Sequence, residues 1–552
     1  MRFLLCVILL VLTRQLCAQG VGIGTPSPDA SAMLDIQSTS KGLLIPRMDS
    51  LQRAGITVPV AGLLVYQTNK DSGFYYYSGS RWTRLAIEGS GWGTGGNAGL
   101  NETHFIGTTD NTPLVFRVNN QPAGIVSNTR GNTSFGRLTL AALTEGIYNM
   151  ALGDEALMEN TIGAYNVAIG QTSLKRSVTT AWNCGVGNRT LAYLRAGNYN
   201  TAVGNDAMFQ ADSGSNNVAV GFGSLVTSKG AYNVAVGMSS MQRVIRGERN
   251  TAIGARAMIE ADKTDNNTVV GYEALRRIKY GGSNTVLGFG CMSLADSGSY
   301  NVAVGEHALA YMKNANSNTA LGTYSLYANA TGSLNTAVGA SALVYNNAVG
   351  NTGVGVNAMY FNTTGQFNVA IGYQALSSNS TGNYNTALGY AANVAAMDLT
   401  NATAIGYNAV ADASNKVVIG NSSVTAIGGF APWSNYSDAR LKKDIIDNTL
   451  GLDFILRLRP VRYRWNTGTN DRLTDGFIAQ EVETALKELG QEFSGLHVPD
   501  NENGRYMLSY EQLVVPLVNA LKQQQKKIDN LEEQLIALQK IVLEIKQKNN
   551  LQ

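Results

Sequence analysis

A 17-residue repeat occupies the chain between Asn132 and Gly420 and constrains its fold more than any local motif does. Each copy begins with Asn, continues with Thr or Val, Ala, and Val, Ile or Leu, and reaches Gly at its fifth position. After two variable residues, Ala and Leu or Met follow. Copies 17 residues apart begin at Asn149, Asn166, Asn183, Asn200 and Asn217, and again at Asn250, Asn267, Asn284, Asn301, Asn318 and Asn335. The intervals that lead to Asn233 and to Asn351 are one residue shorter. A unit this short cannot bury a hydrophobic face by itself, so the copies must stack as a solenoid.

Extended coils suit this repeat better than helical ones. Its period is a poor multiple of the residues in a helical turn, and an Asn and a Gly in every copy oppose helix formation. We therefore predict a short strand from Asn to Gly, with Gly at a corner and the Asn side chains of successive coils in an amide ladder. The second apolar pair, such as Ala308 and Leu309, is either another strand or one helical turn. The predicted fold is mainly β, a β-solenoid or β-roll of about seventeen coils and roughly 80 Å.

Composition and charge fit such a rod and exclude other classes of protein. The 60 Gly and 10 Pro residues are typical of a β-solenoid rather than a disordered chain. With 42 Lys and Arg against 39 Asp and Glu, no nucleic-acid partner is predicted. The 3 His residues, His104, His307 and His497, lie in separate regions, so we predict no metal site, no cofactor and no Ser/His/Asp triad. We expect His307, at a variable repeat position, to face solvent.

The N terminus and the cysteines are typical of an exported protein. A charged start and a short apolar run predict a signal peptide over residues 1–18. The mature chain is then secreted or on the cell surface, without a transmembrane segment. Cys17 leaves a lipoprotein as an alternative, although Leu16 is larger than the residue that usually precedes a lipidated Cys. Cys184 and Cys291 lie too far apart for a disulfide, and we expect both to be small buried residues.

Two segments precede the repeats. Residues 19–86 are predicted to form an N-terminal β module, and residues 87–131 a linker with a short β segment around 114–118. Aromatic residues at 74–77 and at Trp82 flank a Ser-Gly-Ser turn and predict a hairpin. They form either a cross-strand core or a sugar-binding surface. The module resembles the N-terminal module of secreted tail-fibre-domain proteins.

The repeat block, residues 132–420, resembles the Asn/Val/Gly-repeat head regions of trimeric surface adhesins and of phage-like fibres. This resemblance implies a β-roll that associates as a homotrimer. It identifies no ligand, because Asn-rich edges can bind glycans but equally serve turn geometry. A linker over residues 421–436 is predicted to follow.

The last segment, residues 437–552, has more charge, less Gly and helical patterns. It contains SDARLKKDI at 437–445, GFIAQEV at 476–482 and YEQL at 510–513. In this order the motifs resemble the intramolecular chaperone of phage tail spikes, the peptidase S74 family. The resemblance implies an α+β module that helps a trimeric fibre to fold and then cuts itself off with a serine and a lysine.

That resemblance assigns roles to four residues at the start of the module. Ser437 would be the nucleophile and Lys442 its general base, while Asp438 and Arg440 would position the loop that is cut. A serine hydroxyl needs an adjacent base, and a lysine can serve as one when burial favours its neutral form. Alternatively, Ser437 caps a helix that begins at Asp438, and Lys442 and Lys443 form a solvated basic face.

An apolar seam at steps of three and four residues predicts a coiled coil over about 514–547. Its members are Val514, Leu517, Leu521, Gln524, Ile528, Leu531, Leu535, Leu538, Val542 and Ile545. The mixture of Leu and β-branched residues fits a trimer, as both resemblances imply.

These features predict a secreted or cell-surface homotrimeric fibre or adhesin whose C-terminal module assists folding and then releases itself next to Ser437. The alternative is a glycan-binding surface protein in which that module remains attached as a non-cleaving trimer clamp. The expected receptor is a cell-surface glycan or protein. A glycan-degrading enzyme would need paired carboxylates, but the acidic residues are scattered over variable repeat positions.

Overall fold

The computed structural model describes residues 20–85, 96–431, 433–466, 473–499 and 504–549. The chain divides into two compact units, residues 1–107 and residues 108–552. The predicted signal peptide lies outside the described residues.

The first unit contains a short parallel pair and a four-stranded sheet. Val21–Ile23 pairs with Leu34–Ile36. The sheet runs in the order Arg47–Met48, Leu64–Gln67, Gly73–Tyr77 and Trp82–Arg84, and a helix, Ser50–Ala54, follows its first strand. The last two strands form the predicted hairpin, which is confirmed.

Aromatic contacts hold the hairpin sheet together. The rings of Tyr77 and Trp82 meet edge to face across the two strands, with centroids 5.5 Å apart. The guanidinium carbon of Arg53 lies 3.9 Å from the centroid of the Tyr75 ring, so the ring face stabilises a cation whose Nε and Nη1 are buried without a hydrogen bond. These contacts are those of a cross-strand core.

A three-stranded antiparallel sheet opens the second unit and leads into the repeats. Its strands are Leu114–Val118, Gln121–Ser127 and Asn132–Phe135. Seventeen further strands then add in parallel, each paired with the strand of the coil before it. They are Met150–Leu152, Val167–Ile169, Cys184–Val186, Thr201–Val203, Val218–Val220, Val234–Val236, Thr251–Ile253, Thr268–Val270, Thr285–Leu287, Val302–Val304, Thr319–Leu321, Thr336–Val338, Thr352–Val354, Val369–Ile371, Thr386–Leu388, Thr403–Ile405 and Val417–Ile419. The predicted β-solenoid is confirmed.

The seventeen parallel strands lie one above another and form a column. In most of them the central side chain points into the solenoid and the two flanking side chains point away from it. In Thr336–Val338 the central Ala337 is fully buried, whereas both neighbours are partly exposed. The interior is therefore narrow and is filled by Ala on this wall and by Leu or Met, such as Leu343, on the other. This layout follows from the two-residue period of a strand.

The repeated asparagines form the predicted amide ladder. The Oδ1 of Asn284 accepts hydrogen bonds from both the backbone N–H and the Nδ2 of Asn301, at 3.0 and 3.1 Å. The Nδ2 of Asn301 also donates to the Ala315 carbonyl, at 3.1 Å. The bond from Oδ1 to the backbone N–H one coil later recurs along the column until Asn385, whose Oδ1 accepts from the backbone N–H of Ala402, whereas the Nδ2 groups of Asn351 and Asn385 donate to Asn346 and Asn379. Buried amides thus satisfy the backbone groups at the start of every strand.

The Gly at the fifth position is required by both backbone angle and contact. Gly339 has φ 130°, and a Cβ there would lie 2.7 Å from the carbonyl of Gly355 in the next coil. A side chain would therefore push adjacent coils apart as well as strain the corner.

The second apolar pair is neither of the two predicted alternatives in most coils. It lies in a turn, and its Leu or Met adopts the left-handed conformation, as Leu343 does with φ 55°. The Leu343 N–H donates to the Ala358 carbonyl of the next coil, at 2.9 Å. The residue therefore still forms a hydrogen bond between coils despite its uncommon backbone angle. The prediction failed because the pattern of apolar residues does not report the sign of φ.

Short second sheets form in two places, one just after the second apolar pair, where Met241, Met258 and Leu275 keep the left-handed conformation, and one at the ninth position of the coil. Arg243–Val244, Glu260–Lys263 and Arg277–Tyr280 make one, and Asn393–Val394 pairs with Val410–Ala411 in another. In the latter coils the ninth position holds Asn393 and Val410 instead of Leu or Met.

Two expectations for single residues need correction. Cys291 is buried, and burial raises the pKa of its thiol to about 12, but Cys184 is half-buried on an outward strand position. His307 is not a solvated side chain standing alone, because its ring stacks on that of Tyr324, with centroids 5.6 Å apart. Both cysteines are free thiols.

The C-terminal module combines helices with two small hairpins. Its helices are Leu452–Arg457, Ala479–Leu489 and Val514–Asn549, and its short 3₁₀ helices are Ala439–Leu441 and Tyr510–Leu513. Val461–Tyr463 pairs with Thr474–Gly476, and Leu496–His497 with Met507–Leu508, each in antiparallel fashion.

We predict that the left-handed angle at the ninth position selects Leu or Met over β-branched residues. Leu309 is fully buried with φ 52°. Leu309→Ile should destabilise the protein by about 2–4 kcal/mol, because branching at Cβ opposes this conformation. Leu309→Met, which copies Met292 one coil earlier, should cost less than about 1.5 kcal/mol. Denaturant midpoints measure the difference, and equal losses in the two variants would contradict the conformational explanation.

Candidate active site

A tight turn organises the first residues of the C-terminal module. Asp438 is the N-cap of Ala439–Leu441, and its Oδ1 accepts from the backbone N–H of Arg440 at 2.9 Å. The Arg440 guanidinium folds back on the same carboxylate, with Nη2 2.6 Å from Oδ2. These hydrogen bonds hold the pKa of Asp438 below its ordinary value. The alternative in which Ser437 caps a helix beginning at Asp438 is therefore wrong, because Asp438 is the cap.

The turn brings Ser437 and Lys442 together. Lys442 Nζ donates a hydrogen bond to Ser437 Oγ over 2.8 Å. Lys442 is the residue at which the 3₁₀ helix ends, and its extended backbone, with φ −116° and ψ 140°, directs the chain back past the serine. The adjacent Lys443 does not make this contact. A single short helix is thus enough to bring together two residues that are five positions apart.

This arrangement has the geometry of a nucleophile and base, in an exposed setting. The distance between the amine and the hydroxyl is that required for proton transfer. Both side chains are exposed in the single chain. A protonated lysine carries three N–H donors and no acceptor, so in this contact Lys442 donates and Ser437 accepts.

Glu481 and His497, the other ionisable groups of the motif region, have different partners. The Glu481 carboxylate forms an exposed ion pair with the Arg459 guanidinium, with Nε 3.0 Å from Oε2, and this lowers the pKa of Glu481. His497 Nε2 lies 3.5 Å from Ser509 Oγ. The structure therefore places neither side chain in a hydrogen bond with the Ser437–Lys442 pair.

A compact apolar core supports the module behind this turn. Its buried members are Leu450, Phe454, Val482, Leu486, Phe493 and Leu513. The rings of Phe454 and Phe493 approach to 5.6 Å between centroids. Helix Ala479–Leu489 contributes one apolar face and ends at Gly490, whose φ of 59° suits a left-handed helix end.

The long helix docks on this core through two amide side chains. Gln523 Oε1 accepts from the Leu452 backbone N–H at 2.7 Å, at a helix start where Gly451 offers no capping side chain. Asn519 Nδ2 donates to the Asn448 carbonyl at 2.7 Å. Sequence reasoning missed both contacts; the only available signal was a pair of amide residues four positions apart, beside the apolar seam.

Beyond this docking region the helix extends through Asn549 with its apolar seam unpaired. The helix itself confirms that part of the coiled-coil prediction. Leu521, Leu531 and Leu538 are 69%, 62% and 57% exposed in the single chain. Such a row of exposed leucines is typical of a helix that packs against other helices.

Comparisons with known families match both ends of the chain. The family described as phage tail like trimerisation region matches residues 22–99, and the family described as chaperone of endosialidase matches residues 437–491. The second match begins at Ser437 and includes the whole turn to Lys442. These matches and the solenoid support a tail-fibre or tail-spike type of protein with a C-terminal chaperone domain.

Two further searches gave negative results. A search of the curated proteins finds no match to the chain. Among the residues that the structure describes, no helix has the length and apolar character needed to cross a membrane.

We predict that Gln523 couples the long helix to the module. Gln523→Ala removes the cap of the Leu452 N–H and should speed hydrogen exchange of the backbone over residues 450–457 by about tenfold, as expected for a loss of ~1.4 kcal/mol. Gln525→Ala is the matched control, because Gln525 bonds only to Asp529 on its own helix. Exchange mass spectrometry of the full chain measures both, and equal protection in the two variants would contradict the coupling.

Proposed function

We propose that this chain is a homotrimeric extracellular or surface fibre whose C-terminal module assists assembly and then cuts itself off next to Ser437. Ser437 is the nucleophile, and Lys442 is its general base. Asp438 and Arg440 hold the turn that keeps these two residues in contact. The observation that carries the proposal is the 2.8 Å hydrogen bond between Lys442 Nζ and Ser437 Oγ inside the matched chaperone family.

Trimer assembly would exclude water from the Ser437–Lys442 pair, which the single chain leaves exposed. The Ser437–Lys442 pair is exposed, so its lysine is solvated and inactive as a base before assembly. Packing of three modules around the long helices would remove water from the pair and favour the neutral amine. Cleavage would then follow folding instead of competing with it.

The remainder of the chain serves as a rod that presents or spaces a receptor-binding element. The trimerisation-region match at residues 22–99 supports the homotrimer. A cell-surface glycan or protein is the proposed receptor, and the signal peptide proposed for residues 1–18 directs export. If processing fails, the module acts instead as a trimer clamp that stays attached.

The cleavage proposal predicts a C-terminal fragment of about 13 kDa and its loss in two variants. Ser437→Ala removes the nucleophile and Lys442→Ala removes the base, so each should slow processing by at least about 10²-fold. Lys442→Arg should be equally inactive, because arginine keeps the charge and the hydrogen bond but cannot give up its proton. Denaturing electrophoresis with intact-mass measurement detects the fragment.

Lys443→Ala is the matched control for these variants and should cleave nearly as fast as wild type. Full-length wild type after assembly, or normal processing of Ser437→Ala, would overturn the protease role. Normal processing of Lys442→Arg would exclude proton transfer to the lysine and would make the hydrogen bond structural.

The chaperone role predicts a difference between two routes to the same rod. A chain truncated after Trp433 and synthesised without its module should aggregate, since exposed apolar strands would form before the chains align. The rod produced by cleavage after assembly should remain soluble. Light scattering of both preparations makes the comparison, and a soluble, trimeric truncated chain would refute the chaperone requirement.

A further inference from the structure

The strand column carries a continuous uncharged surface on the outside of the solenoid, with Thr at ten of its eighteen second positions and an apolar residue at the fourth position of each coil. We call it the outer strip: the side chains at the second and fourth positions of each coil. The second positions are Thr133, Met150, Val167, Cys184, Thr201, Val218, Val234, Thr251, Thr268, Thr285, Val302, Thr319, Thr336, Thr352, Val369, Thr386, Thr403 and Val417. The fourth positions are Phe135, Leu152, Ile169, Val186, Val203, Val220, Val236, Ile253, Val270, Leu287, Val304, Leu321, Val338, Val354, Ile371, Leu388, Ile405 and Ile419.

The outer strip has the composition of an interface instead of a solvated face. Between Asn132 and Ile419, all of which the structure describes, none of its side chains is charged. Val203, Ile253 and Leu287 are 38%, 42% and 47% exposed. At ~4.8 Å per strand the strip is roughly 80 Å long. A contiguous apolar surface of this length is unusual on a monomer and marks an interaction site.

The sixth and seventh positions of the same coils are mixed in character, because they hold exposed aromatic residues such as Phe222, Tyr272 and Tyr407 as well as charged ones. Charged residues at the sixth and seventh positions pair between neighbouring coils, as in Arg137 with Asp154 at 2.7 Å and Arg189 with Asp206 at 2.7 Å. The absence of charge therefore distinguishes the outer strip from the sixth and seventh positions, whereas exposed apolar residues occur in both.

We propose that three copies of this chain pack lengthwise through the outer strip. A partner that covers the strip must be apolar, uncharged and as long as the array, and a second copy has these properties coil for coil. The trimerisation-region match at residues 22–99 and the apolar seam of Val514–Asn549 flank the array in sequence. Both segments therefore favour sister chains of this protein as the partner of the strip. This inference rests on the proposed homotrimer and specifies the surface that forms it.

Cys184 provides a natural reporter for this packing. It occupies a second position and is half-buried, whereas Cys291 is buried inside the solenoid. In a three-fold assembly the three copies of Cys184 lie at the same height and face one another across the interface.

Oxidation or a short bismaleimide applied to the assembled wild-type protein should produce a covalent dimer. Its yield should approach about two thirds of the chains, because each trimer holds three accessible thiols of which two can be joined. Cys184→Ser should abolish the dimer and Cys291→Ser should not. The yield should not change on dilution, as expected for linkage within one trimer.

A matched pair of lysine substitutions tests the same surface without the thiol chemistry. Val186→Lys places a charge on the outer strip next to Cys184 and should reduce the cross-linking yield by at least about tenfold. Asn188→Lys places the same charge two residues further on the same coil, at an exposed position off the strip, and should leave the yield unchanged.

The outcomes separate this inference from the proposed function. A trimer by light scattering that gives the Cys184 dimer, and in which only Val186→Lys lowers its yield, supports the outer strip. A trimer that gives no Cys184 dimer, or one in which both lysine variants behave as wild type, overturns the strip and leaves the trimer intact. A monomer overturns both.

Discussion

The asparagine ladder is the interaction on which the solenoid depends. Each of the seventeen parallel strands is only three residues long, too short to be stable alone, and begins with backbone groups buried among other coils. The Asn side chain forms hydrogen bonds with those groups, as Asn284 does with the backbone N–H and side chain of Asn301. The Asn of the next coil then does the same for the coil after it. Because each amide needs a partner above and below, the repeat length can vary only where a turn absorbs the change, as at the steps to Asn233 and Asn351.

The ladder also fixes what the surface can do. It holds equivalent side chains in line, so aromatic residues before the Asn stack face to face, as Tyr165 and Trp182 do with centroids 4.0 Å apart and planes at 6°. The facing sides of two stacked rings cover each other, although Tyr165 and Trp182 remain 38% and 50% exposed. Sugar binding uses ring faces, so this stack is better suited to stabilising the rod than to holding a glycan. The same alignment turns single Val and Thr residues into the outer strip.

Features that depend on residues close in sequence could be predicted for much of this molecule. Contacts between residues far apart in sequence could not. The period, the short strands, the amide ladder and the C-terminal helix follow from spacing and residue type. The left-handed Leu343 does not, because a buried Leu fits a strand, a helix or a turn equally well. In the module, the pairing of Ser437 with Lys442 was expected from the family resemblance, and the structure brings the two side chains together within one turn. The docking of Gln523 on Leu452 was not expected, since it joins residues 71 positions apart.

The contacts of Asn519 and Gln523 link the proposed trimer assembly to the proposed cleavage at Ser437. The long helix exposes an apolar seam that only other chains can cover, yet its first turns are fixed to the module core by Asn519 and Gln523. In the proposed homotrimer, joining three such helices would bring three modules together, each with its exposed turn at Ser437. In the proposed mechanism, removal of water favours the neutral amine of Lys442, which then takes the proton of the Ser437 hydroxyl as its oxygen attacks the scissile carbonyl. Under the proposed mechanism, the step that completes the fibre is the same step that activates its release.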